Sequence, residues 1–265
     1  MQPGDATGTT GHLQALFSLS GRTALVTGGS SGIGQAMAEA IGGAGAAVVL
    51  LARGKPGLDA AAGRLRERGV RVAAIAADLG DPGDLRRVCE QASGFFGEID
   101  ILVNAAANNI RRPMEQLTPE DYEATIRVNL TAPYTLGQYF GPRMAARGFG
   151  RIINVGSQQS TSAFGDSGVY GVSKAALAGL TRSQAEAWSR HGVRSNTVLP
   201  GFVLTPLTAS AQAVPGRVEA MAARSMVGRN GVPADFAGIA VLLAGDGAEY
   251  ITGQAICVDG GFSVH

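Results

Sequence analysis

The sequence predicts an α/β fold: one Rossmann-like, doubly wound parallel sheet with helices on both faces. Three observations predict it. Short β-branched runs alternate with Ala-rich helical stretches along nearly all of the 265 residues. Runs such as 47–52 are apolar throughout rather than alternating with polar residues, the pattern of strands covered on both sides. A glycine-rich turn joins the first run to the first helical stretch, the arrangement that opens a dinucleotide-binding βα unit.

The elements follow in order. Residues 22–27, with Ala24-Leu25-Val26 at their centre, read as a strand, and the helix after the glycine turn is under way by 34–43. Residues 47–52 (Ala-Val-Val-Leu-Leu-Ala) form the second strand, 58–68 a helix, 71–76 the third strand and 84–96 a helix. Residues 101–104 (Ile-Leu-Val-Asn) form the fourth strand, and 119–147 is one long, mostly helical stretch. Then come a strand at 151–155, a long helix within 163–191, a strand at 194–199, a helix at 235–243 and a last strand at 255–258. With right-handed crossovers this order gives the doubly wound sheet. Residues 1–18, rich in Gly, Thr and small polar types at their start, read as a flexible leader, and 19–265 as a single domain without repeats or linkers. The least regular stretch, 202–232, fits a lid over a pocket or a plain surface helix pair.

Composition narrows the function. With 45% hydrophobic and 16% charged residues the chain can bury a large core. A net charge of +1 gives no electrostatic case for nucleic acid or an anionic membrane. Two cysteines, Cys89 and Cys257, cannot build a disulfide framework or a zinc site, so no metal is expected and a reduced, cytoplasmic setting is the natural reading. No apolar run is long enough to span a bilayer, and no secretory signal pattern opens the sequence.

The turn after the first strand reads Thr27-Gly28-Gly29-Ser30-Ser31-Gly32-Ile33-Gly34. Glycines let backbone turn tightly and approach a pyrophosphate, and the helix that follows offers free N–H groups to it. The second strand ends at Ala52-Arg53. An acidic residue there would read a ribose 2′-hydroxyl and an arginine a 2′-phosphate, so NADP is favoured over NAD. Asp78-Leu79 follows the third strand and could border the adenine. Asn104-Ala105-Ala106-Ala107 follows the fourth, where small side chains leave room for a nucleotide.

A catalytic group is expected where strand ends meet the following helices. Ser157 follows the fifth strand. Tyr170 and Lys174, four apart, share a face of the next helix, and Asn129 sits inside the preceding helical stretch, where its propensity is poor. Hydride transfer leaves an alkoxide-like oxygen that needs a proton. Tyr170 can supply it, Lys174 can lower the phenol's pKa, Ser157 can donate a hydrogen bond to the developing charge, and Asn129 could hold a water linking the lysine to solvent.

These residues resemble those of the short-chain dehydrogenase/reductase family over nearly all of 21–262. The match rests on residues 27–34, Asp78-Leu79, residues 104–107, Asn129, Ser157, Tyr170-Gly171-Val172-Ser173-Lys174, Pro200-Gly201 and Asp259-Gly260-Gly261. The resemblance implies an Asn129–Ser157–Tyr170–Lys174 tetrad and NADP or NAD held by the 28–34 turn, Arg53, Asp78, Leu79, Asn104, Ala105 and Ala106. It also implies that Lys174 binds the nicotinamide ribose and that Val203 and Thr205, just past Pro200-Gly201, contact the carboxamide. Ala107 departs from the family's glycine at its position. A homotetramer is implied, pairing the long helices, with 251–261 as a second interface.

Candidate substrate contacts are Asn108, Arg111 and Gln159, with Asn109, Gln158 and Phe164 nearby. Amides and a guanidinium suit hydroxyl-rich or carboxylate-bearing molecules. Residues 104–113 also resemble gluconate 5-dehydrogenase-type members, which points to a sugar acid or polyol. Two alternatives remain: a 3-oxoacyl-carrier-protein reductase, with Arg111, Arg112 and Arg147 as candidate docking charges, and a non-catalytic nucleotide sensor on this fold.

Overall fold

The computed structural model describes the backbone of residues 6–265 and the side chains from Gly11 onward. Seven strands form one all-parallel sheet in the order β3-β2-β1-β4-β5-β6-β7. They are β1 (Thr23–Thr27), β2 (Ala47–Ala52), β3 (Val72–Ala76), β4 (Ile101–Asn104), β5 (Gly150–Val155), β6 (Val193–Pro200) and β7 (Ala255–Val258). The first three strands build outward from β1, and β4 then returns to its other side. The chain therefore diverges between β1 and β4 at the carboxyl edge of the sheet, the place where open α/β sheets take ligands.

Successive residues of a strand point to opposite faces, and the core divides accordingly. Ala24, Val26, Val48, Leu50, Ile101 and Val103 face one cluster with Met37, Ile41, Leu65 and Leu243. Leu25, Val49, Leu51, Leu102 and Ile152 face the other, with Val88, Leu136, Phe140 and Met144. The first layer carries α2 (Gly32–Gly43), α3 (Lys55–Glu67) and α10 (Ala237–Ala244). The second carries α4 (Pro82–Phe96) and α6 (Ala132–Ala146). Each fully buried Leu, Ile or Phe contributes about 1.5–3 kcal/mol, which is why β2 and the centres of β1 and β4 read as apolar runs.

Two expectations change and a third takes form. Within the expected leader, residues 6–17 form a helix, α1 (Ala6–Phe17), whose last turn lies against Gly245 and Gly247; residues 1–5 lie outside the described residues. The 119–147 stretch is not one α-helix. It is α5 (Pro119–Ile126) and α6, joined by a π-helical turn at Arg127–Thr131. The stretch 202–232 holds α8 (Ala209–Gln212) and α9 (Arg217–Ala223), and its first half lines the cleft described below. Among the described residues no helix is long and apolar enough to cross a membrane.

Candidate active site

A cleft of about 340 Å³ opens at the β1/β4 divergence. Its floor is the glycine turn, where Gly28, Ser30, Ser31, Gly32, Ile33 and Gly34 all line it. Gly28 has φ +68°, and a Cβ there would meet the Ala106 nitrogen at 2.9 Å. A Cβ on Gly34 would lie 2.5 Å from the Gly28 carbonyl oxygen. These two positions need glycine for the turn to close against β4. Thr27 fixes the other wall, because its hydroxyl accepts the N–H groups of Ala105 and Ala106, both at 3.0 Å. Ser31, the residue before α2, makes no side-chain cap, so the first N–H groups of that helix remain available to an anion. A pyrophosphate fits this floor.

Arg53, Asp78, Leu79, Ala105 and Ala106 line the same cleft, as do Pro200, Gly201, Val203 and Thr205. Arg53 is exposed at the rim and makes no ion pair among the described residues. Ala107 lines the cleft where a glycine was the family pattern. Asn104 does not reach it. Its side chain is buried and donates to the side-chain amide oxygen of Asn154 at 2.8 Å, across the β4–β5 pair. Strand parity turns it into the sheet, toward a polar spine in which Asn154 donates to Thr181 (2.8 Å) and Gln184 (3.1 Å) of α7 (Gly168–Trp188).

Ser157, Tyr170 and Lys174 converge on the cleft. The Ser157 oxygen accepts the Gln159 N–H at 3.1 Å, which leaves the hydroxyl proton for a ligand or for Tyr170. The Lys174 ammonium lies 5.7 Å from the Tyr170 ring centre and donates to the Val155 carbonyl at 2.6 Å. Lys174 was expected to hold the phenol's pKa down. Burial instead dominates and pushes Tyr170 up to about 12, with the Ser157 hydrogen bond acting against it. Burial also brings Lys174 down to about 8. At neutral pH the phenol is a proton-bearing acid and the lysine is still mostly cationic.

Asn129 is fully buried and does not line the cleft. Its amide accepts the Asn108 N–H at 2.9 Å and donates to the Asn108 carbonyl (3.0 Å) and to the Ser173 hydroxyl (3.0 Å). A side chain committed in this way positions the 108 loop rather than holding a water in the cleft. Ser173, which also donates to the Tyr170 carbonyl at 2.7 Å, was missed. Its only sequence signal was its place between Tyr170 and Lys174.

At the substrate end Asn108, Asn109, Arg111, Gln158 and Gln159 line the cleft. Phe164 does not; it packs on Phe262, ring centres 5.9 Å apart. Arg111 donates to the Gly165 carbonyl at 3.3 Å, and burial lowers its pKa. Arg112 and Arg147 are neutralised by ion pairs, Arg112 with Asp121 (2.9 Å) and Arg147 with Asp100 (3.2 Å) and Glu98 (3.3 Å).

This geometry defines a class, an NAD(P)-dependent oxidoreductase acting on CH–OH groups, and comparison with known proteins agrees. A family model described as enoyl-(acyl carrier protein) reductase matches residues 28–263, and the chain belongs to the short-chain dehydrogenase/reductase family. It is 36% identical over 249 residues to D-threitol dehydrogenase of Mycolicibacterium smegmatis, covering 94% of this chain and 95% of that protein. Among solved structures it is similar to a gluconate 5-dehydrogenase of Burkholderia cenocepacia in complex with NADP and tartrate. That match has a TM-score of 0.90 and 32% identity over 96% of this chain and all of the other. It is also similar to a 3-oxoacyl (acyl-carrier-protein) reductase of Agrobacterium tumefaciens with NADP bound, at TM-score 0.88 and 35% identity over 94% and 96% of the two chains.

Proposed function

We propose that residues 19–265 act as one catalytic domain that interconverts a secondary alcohol and a ketone of a sugar acid or polyol. The observation that carries this reading is the convergence of Ser157, Tyr170 and Lys174 on a cleft whose other end is the glycine turn. The 28–34 turn, Arg53, Asp78, Leu79, Ala105 and Ala106 hold the adenine half of NADP or NAD. Lys174, Pro200, Gly201, Val203 and Thr205 hold the nicotinamide half. When bound, the nicotinamide supplies or accepts the hydride.

The chain's own residues handle the proton. Tyr170, neutral because it is buried, donates its hydroxyl proton to the oxygen that gains charge, and takes it back in the oxidative direction. Ser157 donates a hydrogen bond to that same oxygen. Lys174 keeps a positive charge beside the phenolate that remains. Asn129 keeps the Asn108 loop in place. Arg111 faces the substrate's carboxylate, with the amides of Asn108 and Gln159 beside it.

The relatives named for D-threitol and gluconate support this substrate class. The carrier-protein alternative needs a free basic docking face, and two of its three candidate arginines are already paired. We further place the protein in the cytoplasm as a homotetramer. Its cysteines are unpaired thiols, and Tyr122, Tyr134 and Val172 are exposed on the long helices.

The test is a panel of sugar acids, polyols and 3-oxoacyl thioesters followed by NADPH absorbance, with Tyr170→Phe as control. Turnover of sugar acids or polyols, reduced about 10²–10⁴-fold in Tyr170→Phe, supports the reading. Turnover of thioesters alone, or an undiminished variant, overturns it.

A further inference from the structure

The substrate wall holds an unpaid hydrogen-bonding capacity that the roles above leave unused. Gln158 directly follows Ser157, lines the cleft and is only 7% exposed. Its side-chain carbonyl oxygen has no hydrogen-bond partner among the described residues. Buried polar atoms are nearly always partnered, so an orphan beside reacting groups points to a ligand.

The turn that carries this side chain is held in place. The Gln158 backbone carbonyl accepts the N–H groups of Thr161 (3.2 Å) and Ser162 (3.1 Å) and the hydroxyls of Thr161 (3.3 Å) and Ser162 (2.9 Å). With four donors on one carbonyl, the backbone from which this side chain projects is fixed. Asn109 and Gln159, which also line the cleft, each carry an unpartnered amide oxygen of the same kind.

An amide offers an acceptor oxygen and two N–H donors, and its terminal torsion is soft enough to turn either toward a ligand. A hydroxyl both donates and accepts, so it satisfies such a group, whereas a hydrocarbon tail leaves it orphaned. Ser157 and Gln158 line the same cleft wall, the first beside the reacting oxygen.

We propose that Gln158 recognises the hydroxyl on the carbon adjacent to the reacting one, with Asn109 and Gln159 serving further hydroxyls, so that the substrate is a vicinal diol or its α-hydroxyketone. This rests on the sugar-acid or polyol reading and narrows it to one substituent and one residue.

The experiment compares wild type with Gln158→Met, which keeps the volume and removes the amide, on three probes. D-gluconate and xylitol carry vicinal hydroxyls, and 3-hydroxybutyrate has a secondary alcohol and a carboxylate without a neighbouring hydroxyl. Thermal melting and NADP titration by fluorescence check the variant's fold. Expected is a wild-type kcat/KM on D-gluconate or xylitol at least about a hundredfold above that on 3-hydroxybutyrate. In Gln158→Met it falls about tenfold or more on the diols and little on 3-hydroxybutyrate. If the variant does not fold, the wild-type ratio alone decides. A ratio near one, or an equal loss on all probes, overturns the role of Gln158 while leaving the substrate class standing. A wild type inert toward both diols removes the substrate class, and this inference with it.

Discussion

The side-chain amide of Asn129 grips both backbone groups of Asn108, accepting its N–H at 2.9 Å and donating to its carbonyl at 3.0 Å. Twenty-one residues separate the partners, and the π turn at Arg127–Thr131 brings them together. Such turns insert one residue into a helix and recur where a side chain must be re-aimed. Replacing Asn129 with Leu strands two part-buried backbone groups. The expected cost is about 1–3 kcal/mol of stability, with a loss of kcat/KM that exceeds the loss of NADP affinity. Thermal melts, initial rates and cofactor titration measure the three quantities.

Alkaline stability should carry two opposite signatures. Lys174 in the folded chain has its pKa near 8, below the ordinary 10.5. Between those values the unfolded chain binds the extra proton, so stability rises with pH, by roughly 3 kcal/mol in all. Tyr170 has its pKa near 12, above the ordinary 10.0. The folded chain keeps that proton longer, so its contribution is lost as pH climbs from 10 to 12. Urea unfolding at stepped pH should show the lower rise flattened in Lys174→Met and the upper fall flattened in Tyr170→Phe.

Cofactor choice should follow Arg53. Exposed at the cleft rim at the end of β2, it is placed for a charge-assisted bond to a 2′-phosphate. Arg53→Ala should raise the KM for NADP about ten- to a hundredfold and leave that for NAD within about twofold. Equal effects on both cofactors would assign the arginine no part in the choice.

Gly34→Ala tests the floor. The added methyl would sit 2.5 Å from the Gly28 carbonyl oxygen, a rigid backbone atom that cannot step aside. Overpacking of this kind costs about 1–3 kcal/mol. The turn should open, weakening NADP binding in titration more than the fall in Tm accounts for. Gly43→Ala, with open space around its Cβ position, is the matched control.

The fold was legible because the central strands are buried on both faces, so Ala47–Ala52, or Ile101-Leu102-Val103 ahead of Asn104, announces itself as an apolar run. The placement of Ser157, Tyr170 and Lys174 was legible for a related reason: a strand end and one turn of helix fix where they point. Asn104 and Asn129 were misread because direction depends on neighbours in space. Parity sends Asn104 to the sheet face beneath α7, beside Asn154, and the π turn commits Asn129 to Asn108. The phenol's acidity was misjudged because a lysine four residues away is visible in sequence, whereas the depth at which both groups lie is not.

The polar spine behind the sheet has a mechanical consequence. Thr181 of α7 bonds Asn154 of β5 and Thr197 of β6 (2.6 Å), and Gln184 accepts from Asn154 and from Ser195 (2.9 Å). Added to close apolar packing, these directional bonds register the helix along the sheet. Thr181 lies eleven residues beyond Tyr170, about 16 Å along the axis. The height of the phenol above the strand ends is therefore gauged in part from three turns further along its own helix.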